Sequence, residues 1–172
     1  MRRASGWTSL TLLVGDAMLD NIKKYNVILA SPSPRRRELL AGLDIPYEVR
    51  TLPDVDESFP PTLQGGDIPL YISKKKADAY RSLMADDELV ITADTIVWLD
   101  GEPLGKPADE ADARRMLNFM SGKTHSVFTG VTITTRDVQR SFVACSLVTF
   151  ATLTADEIDY YIAKYRPMDK AG

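Results

Sequence analysis

The spacing of apolar residues changes along the chain, and each change predicts an element. The short unbroken run Val27 to Ala30 reads as a buried strand. Ser33-Pro34 then opens a helix, because Ser is a favoured N-cap and Pro suits the first helical position. Leu39, Leu40 and Leu43 form its apolar stripe, with Gly42 near its end. Tyr47 to Thr51 predicts a second short strand, and Asp54 to Gly66, polar and rich in Pro and Gly, predicts a loop. Helical spacing returns from Asp67 to Met84, with Ile68, Ile72, Tyr80, Leu83 and Met84 on one side. Leu89 to Leu99 reads as a long strand ended by the turn pair Asp100-Gly101. Asp109 to Met120 reads as a helix with Ala113, Met116, Leu117 and Met120 inward, stopped by Ser121-Gly122. Strict alternation follows, with His125, Val127, Thr129, Val131 and Ile133 on one strand face. Ser141 to Thr152 is a further strand, joined to the previous one through a hairpin at Arg136 to Arg140. Asp156 to Tyr165 is a last helix with Thr154 as its N-cap. Strands and helices alternate early and a hairpin comes late, which predicts an α/β domain with a mixed sheet.

Four places break this pattern. Ser31-Pro32-Ser33-Pro34-Arg35-Arg36-Arg37 puts arginines in a first helical turn, where the helix dipole favours negative charge. An anion bound there would remove the conflict; the alternative is a solvated basic turn. Asp94 lies inside an apolar strand, where a carboxylate is costly unless it meets a cation, a metal or hydrogen-bond donors. It suits a general base for water or a metal ligand, and an edge strand facing solvent would also accommodate it. Lys76 falls on the apolar stripe between Ile72 and Tyr80, whereas Lys74 and Lys75 read as solvated. Pro107 holds Lys106 extended in the loop after the Asp94 strand. The acidic pair Asp56-Glu57 reads from pattern alone as a solvated loop, and His125 as a hydrogen-bonded structural residue. Tyr160-Tyr161 reads as core or interface. Together the four breaks supply what phosphate chemistry requires: charge neutralisation, positioning and an activated water.

Composition narrows the choices. The net charge of −3 argues against a general nucleic-acid binder. Cys145 is the only cysteine and His125 the only histidine, so any metal is held by oxygen ligands, which points to Mg or Mn. A lone cysteine also suits a reducing, cytoplasmic setting. No apolar run is long enough to span a bilayer. Residues 1–17 read as a disordered extension or a mis-assigned start, and 18–172 as one domain.

The motifs also resemble a known family. Leu29-Ala30-Ser31-Pro32-Ser33-Pro34-Arg35-Arg36-Arg37-Glu38-Leu39-Leu40, Ala93-Asp94-Thr95, Leu104-Gly105-Lys106-Pro107, the block from Ser121 to Val131 and Asp169-Lys170-Ala171-Gly172 are similar, in order, to motifs of the Maf family. The resemblance implies an α/β fold of the Maf/inosine triphosphatase-like type, a mixed β-sheet flanked by helices with two lobes around a cleft, and in many members a homodimer. It implies hydrolysis of a nucleoside triphosphate between the α- and β-phosphates with a divalent metal cation. On matching positions, Asp94 would accept a proton, Glu57 and Asp94 would hold metal, and Ser31, Arg35, Arg36, Lys76 and Lys106 would contact phosphates. Arg35 and Thr95 match the subgroup that prefers dTTP and UTP; the sister subgroup acting on 7-methyl-GTP carries other residues there. Family members continue past the Asp-Lys-Ala-Gly motif, so the chain reads as shortened at its C-terminal side. The competing expectations are a 7-methyl-GTP or modified-nucleotide pyrophosphatase and a non-catalytic nucleotide-binding or septation-regulating protein.

Overall fold

The computed structural model describes residues 20–51 and 55–169. The expected extension at 1–17 and the last three residues of the final motif lie outside them. Six strands form one mixed sheet in the order β2-β1-β3-β5-β6, with β4 paired to β3. The strands are β1 (Asn26–Leu29), β2 (Glu48–Val49), β3 (Glu88–Leu99), β4 (Glu102–Leu104), β5 (Thr124–Thr134) and β6 (Gln139–Thr149). Among the described residues four α-helices flank them: α1 (Pro34–Ala41), α2 (Asp67–Arg81), α3 (Glu110–Met120) and α4 (Ala155–Tyr165). β1 runs parallel to β2 and β3, and all other pairings are antiparallel.

Local chemistry explains most boundaries. Asp100 and Gly101 both take positive φ, 53° and 89°, as a two-residue hairpin turn between β3 and β4 requires. The Asp109 side chain caps α3 by accepting from Asp112 N–H at 2.8 Å. Thr154 and Glu157 form a reciprocal capping box on α4.

Two cores sit on opposite faces of β3. On one face, Tyr80 of α2 and Met84, just past its end, pack with Ile28 and Val90. On the other face and toward the far end of β3, Val97 and Leu99 meet Met116, Met120, Ile158 and Ile162 from α3 and α4. A strand of 12 residues is long enough to serve both.

The structure corrects several expectations about which residues face inward. Leu39 and Leu43 are exposed, and Leu40 alone of that stripe is buried. α2 ends at Arg81, three residues short of the expected end, and leaves Leu83 exposed. On β5, His125 is buried, but Val127, Thr129, Val131 and Ile133 are only half-buried, and the fully buried positions are Thr132 and Thr134. The reason is a polar seam beneath α2. Ser73 and Thr132 hydroxyls bond at 2.9 Å, Thr132 and Ser141 at 3.0 Å, and Thr92 donates to the Ser73 carbonyl at 2.8 Å. Satisfied in this way, hydroxyls replace apolar side chains at little cost. His125 packs edge-on against Phe150 at 5.0 Å, and its Nδ1 has no hydrogen-bond partner, contrary to the expected hydrogen-bonded role. Burial lowers its pKa and favours the neutral ring. Tyr160 is exposed, and Tyr161 packs against the second core.

Gly130 sets the distance between α2 and the sheet. A Cβ there would stand 2.4 Å from the backbone of Pro69 and Leu70, and this residue pairs with Asp94 across the β3–β5 ladder. Gly130→Ala should lower the denaturant midpoint by the equivalent of about 2–3 kcal/mol, the usual cost of overpacking against unyielding atoms. Gly105→Ala, with nothing within 4 Å of the added carbon, is the control and should leave the midpoint unchanged. Equal midpoints for both variants would refute the close-approach argument.

Candidate active site

The site lies where the loop after β1, the segment before α2, α2 itself and the middle of β3 converge. Ala30 N–H still pairs with Ile91 carbonyl at 2.9 Å, so the chain leaves the sheet at Ser31 beside Ala93 and Asp94. The Ser31 side chain is buried, and its Oγ accepts from Ser33 N–H at 3.3 Å and from Arg36 Nη1 at 3.2 Å. Arg36 folds back from the first turn of α1. Its Nη1 also donates to the Ala93 carbonyl at 2.9 Å, and its Nη2 to Thr95 Oγ1 at 3.3 Å. Burial lowers the Arg36 pKa, opposed by the charges of Asp94 and Glu57. Of the three arginines, therefore, one enters the site, Arg37 donates to the Pro32 carbonyl at 3.4 Å, and Arg35 is exposed.

Lys76 occupies the centre. It lies on the inward stripe of α2 with Ile72, Ser73, Ala77 and Tyr80. Its Nζ reaches Asp94 Oδ1 at 3.0 Å and Glu57 Oε1 at 2.8 Å. Asp94 and Lys76 are largely enclosed, with side chains 13% and 16% exposed, whereas Glu57 is 60% exposed and closes the arrangement from outside. Burial raises the Asp94 carboxyl above its ordinary pKa; Lys76 opposes this, Glu57 adds to it and Arg36 opposes it. The expected alternative for Asp94, a carboxylate facing water from an edge strand, does not hold: at Asp94 β3 pairs with β5 alone, but the side chain is buried. Thr95 Oγ1 holds Arg36 and meets Thr129 Oγ1 at 3.1 Å.

A cleft of about 300 Å³ opens over this group, lined by Ser31, Arg36, Thr51, Glu57, Lys76 and Tyr80 among others. The structure thus brings together Ser31, Arg36, Glu57, Lys76, Asp94 and Thr95. It leaves Arg35 and Lys106 exposed, with no hydrogen bond or ion pair to another described residue. Among the described residues no group of three or more His, Cys, Asp or Glu side chains converges, and no helix is long and apolar enough to cross a membrane.

Pattern reading missed three supporting residues. Tyr80, expected only as core, lines the cleft and its hydroxyl donates to the Arg50 carbonyl. Glu88, buried at the start of β3, accepts from Arg50 Nη1 at 2.7 Å and from Ala85 N–H at 3.1 Å. Lys75, expected to be solvated, donates to Asp56 at 2.6 Å, and this contact with the help of Ser58 holds Asp56 well below the usual carboxylate range. The charge of Glu88 at a strand start was the one available signal among them.

A dTTP/UTP pyrophosphatase of Phocaeicola vulgatus is 63% identical over 155 residues, covering 90% of this chain and 80% of that protein. A dTTP/UTP pyrophosphatase of Bacteroides thetaiotaomicron is 61% identical over the same length and coverage. In fold, the chain is similar to the Staphylococcus aureus Ham1 protein, with a TM-score of 0.50 and 16% identity over 72% of this chain and 71% of that one. The family described as Maf-like protein matches residues 26–172, and the chain belongs to that family.

Proposed function

We propose that this chain is a hydrolase of acid anhydrides, a nucleoside triphosphate pyrophosphatase that converts dTTP or UTP to the nucleoside monophosphate and pyrophosphate. The observation that carries the reading is the Lys76 ammonium held between Asp94 and Glu57 at the wall of a cleft that also presents Arg36 and Ser31. The names of the relatives give the substrate class. Arg36, Lys76 and the Ser31 hydroxyl bind phosphate oxygens, joined from the rim by Arg35 and Lys106, both exposed and able to swing. Arg35 and Thr95 set the preference for a pyrimidine nucleotide. A reducing, cytoplasmic setting suits a chain with one cysteine.

Asp94 acts as the base. A water oxygen attacks a phosphorus of the α–β anhydride, its proton passes to an Asp94 carboxylate oxygen, and the bridging P–O bond breaks with its electron pair leaving on the departing phosphate. Arg36 and Lys76 neutralise the charge that gathers on the phosphate oxygens.

The donor set also fits a divalent cation. Two carboxylates, Asp94 and Glu57, converge on the point where a lysine ammonium stands, and oxygen donors alone suit Mg or Mn. Asp94 and Glu57 would hold the ion, which when bound neutralises substrate phosphates and polarises water.

The direct test is pyrophosphate release from dTTP, UTP, CTP and 7-methyl-GTP with magnesium. Turnover of dTTP or UTP above the others is expected. No turnover of any substrate by a folded protein that binds dTTP would replace the enzyme with a binding protein, and preference for 7-methyl-GTP would overturn the specificity assignment.

Asp94→Asn should reduce kcat at least about 100-fold, the usual contribution of a positioned base, while triphosphate binding persists. Loss of binding together with turnover would sink the base assignment.

Asp94 also makes stability depend on pH. Because burial raises its carboxyl, the folded chain holds that proton to higher pH than the unfolded chain does. The stability it contributes therefore falls as pH rises from about 4, the ordinary carboxylate value, through the raised one. In chelator, the wild type should lose stability relative to Asp94→Asn across that window. A wild-type advantage that grows with pH would show that Lys76 outweighs burial.

A further inference from the structure

A second ion pair joins the same segment to the same helix one residue away from the first. Lys75 precedes Lys76 on α2, and Asp56 precedes Glu57 in the segment before it. Lys75 Nζ donates to Asp56 Oδ2 at 2.6 Å and to the Ser58 carbonyl at 3.2 Å. Asp56 turns back on Ser58, accepting its N–H at 2.9 Å and its Oγ–H at 2.7 Å. The residues on both sides of Glu57 are thus tied to one ammonium. Successive residues on a helix point about 100° apart, so Lys75 stays at the rim while Lys76 turns inward.

Among the described residues, little else anchors this part of the chain. Residues 56–60 are all exposed, so burial of apolar surface does not fix the position of Glu57. A partly exposed pair such as Lys75–Asp56, with side chains 31% and 67% exposed, contributes little to global stability. Its effect lies in geometry: without it, Glu57 belongs to a solvated strand of loop whose backbone is free to swing away from Lys76.

We propose that Lys75, Asp56 and Ser58 form a latch that positions the Glu57 carboxylate against Lys76, which makes Lys75 a positioning residue. The role in turnover rests on the pyrophosphatase reading above; the ordering of the segment does not.

The test compares Lys75→Gln, Asp56→Asn and Lys75→Arg with the wild type. Three quantities are read: kcat/KM for pyrophosphate release from dTTP, hydrogen exchange of backbone amides in residues 55–66, and thermal midpoint. Lys75→Gln and Asp56→Asn should speed exchange in 55–66 and lower kcat/KM about tenfold or more, as misplacement near a reacting centre does. The thermal midpoint should move by no more than about 4 °C, as befits an exposed pair. Lys75→Arg keeps a cation that reaches both Asp56 and the Ser58 carbonyl, and should recover most of both properties. Unchanged exchange in Lys75→Gln overturns the latch, whatever the kinetics. Faster exchange with undiminished kcat/KM, in a protein that Asp94→Asn inactivates, overturns its role in turnover. Full activity in Asp94→Asn is a failure of the pyrophosphatase reading instead, and the exchange result still decides the latch.

Discussion

A lysine ammonium with a carboxylate on each side organises the centre of this protein. Asp94 is buried in the middle of β3 and Lys76 lies on the buried stripe of a helix, so neither charge could be enclosed alone. Removing one member of such an enclosed pair leaves a bare charge, at a cost of about 3–5 kcal/mol. The pairing is therefore a constraint on the fold as well as a property of the site: α2 must sit at the height and rotation that bring Nζ to Asp94. Gly130 beside Asp94 sets the height by letting the Pro69–Leu70 backbone rest almost on the sheet. The Ser73–Thr132 and Thr92–Ser73 hydrogen bonds set the rotation, because hydroxyls bond in fixed directions where apolar contacts would slide.

The division of labour along β3 follows from its length. One face at one end carries the core beneath α2, and the other face at the other end carries the core beneath α3 and α4. Between them lie Asp94, buried, and Thr95, half-buried. Arg36 reaches across from α1 to both the strand carbonyl at Ala93 and the Thr95 hydroxyl, so the basic turn is locked to the acidic strand.

Much of this was legible in the sequence. Asp94 and Lys76 announced themselves as charges on apolar patterns, and the paired turn signal at Asp100-Gly101 and the cap at Thr154 act within a few residues of themselves. What was not legible depends on partners distant in sequence. Which of Arg35, Arg36 and Arg37 turns inward is decided by the carbonyl of Ala93, 57 residues beyond Arg36. Alternation on β5 pointed to the valines as the inner face, but α2 covers the threonines, and only their hydroxyl partners make that burial tolerable. Glu57 came from family resemblance alone, since an acid in a polar loop carries no pattern of its own. Leu39 and Leu43 show the converse: a hydrophobic stripe on a short helix has no obligation to find a partner.

Strand order has a consequence for how the site assembles and comes apart. β5 and β6 follow one another through a tight hairpin, and β3 joins them in an antiparallel ladder. β1, in contrast, pairs with β3 in parallel, Asn26 opposite Glu88, across a separation of 62 residues, and closing so long a loop carries an entropic penalty that the local hairpin avoids. Ser31 and Arg36 hang from the end of that strand. Ser31 and Arg36 are thus carried by the pairing that is dearest in chain entropy, and Asp94 by the ladder. Any partial opening that frees the β2–β1 edge leaves Asp94 in a standing sheet but takes Arg36 from the Ala93 carbonyl and the Thr95 hydroxyl, so these contacts are lost at or below the midpoint at which the sheet melts.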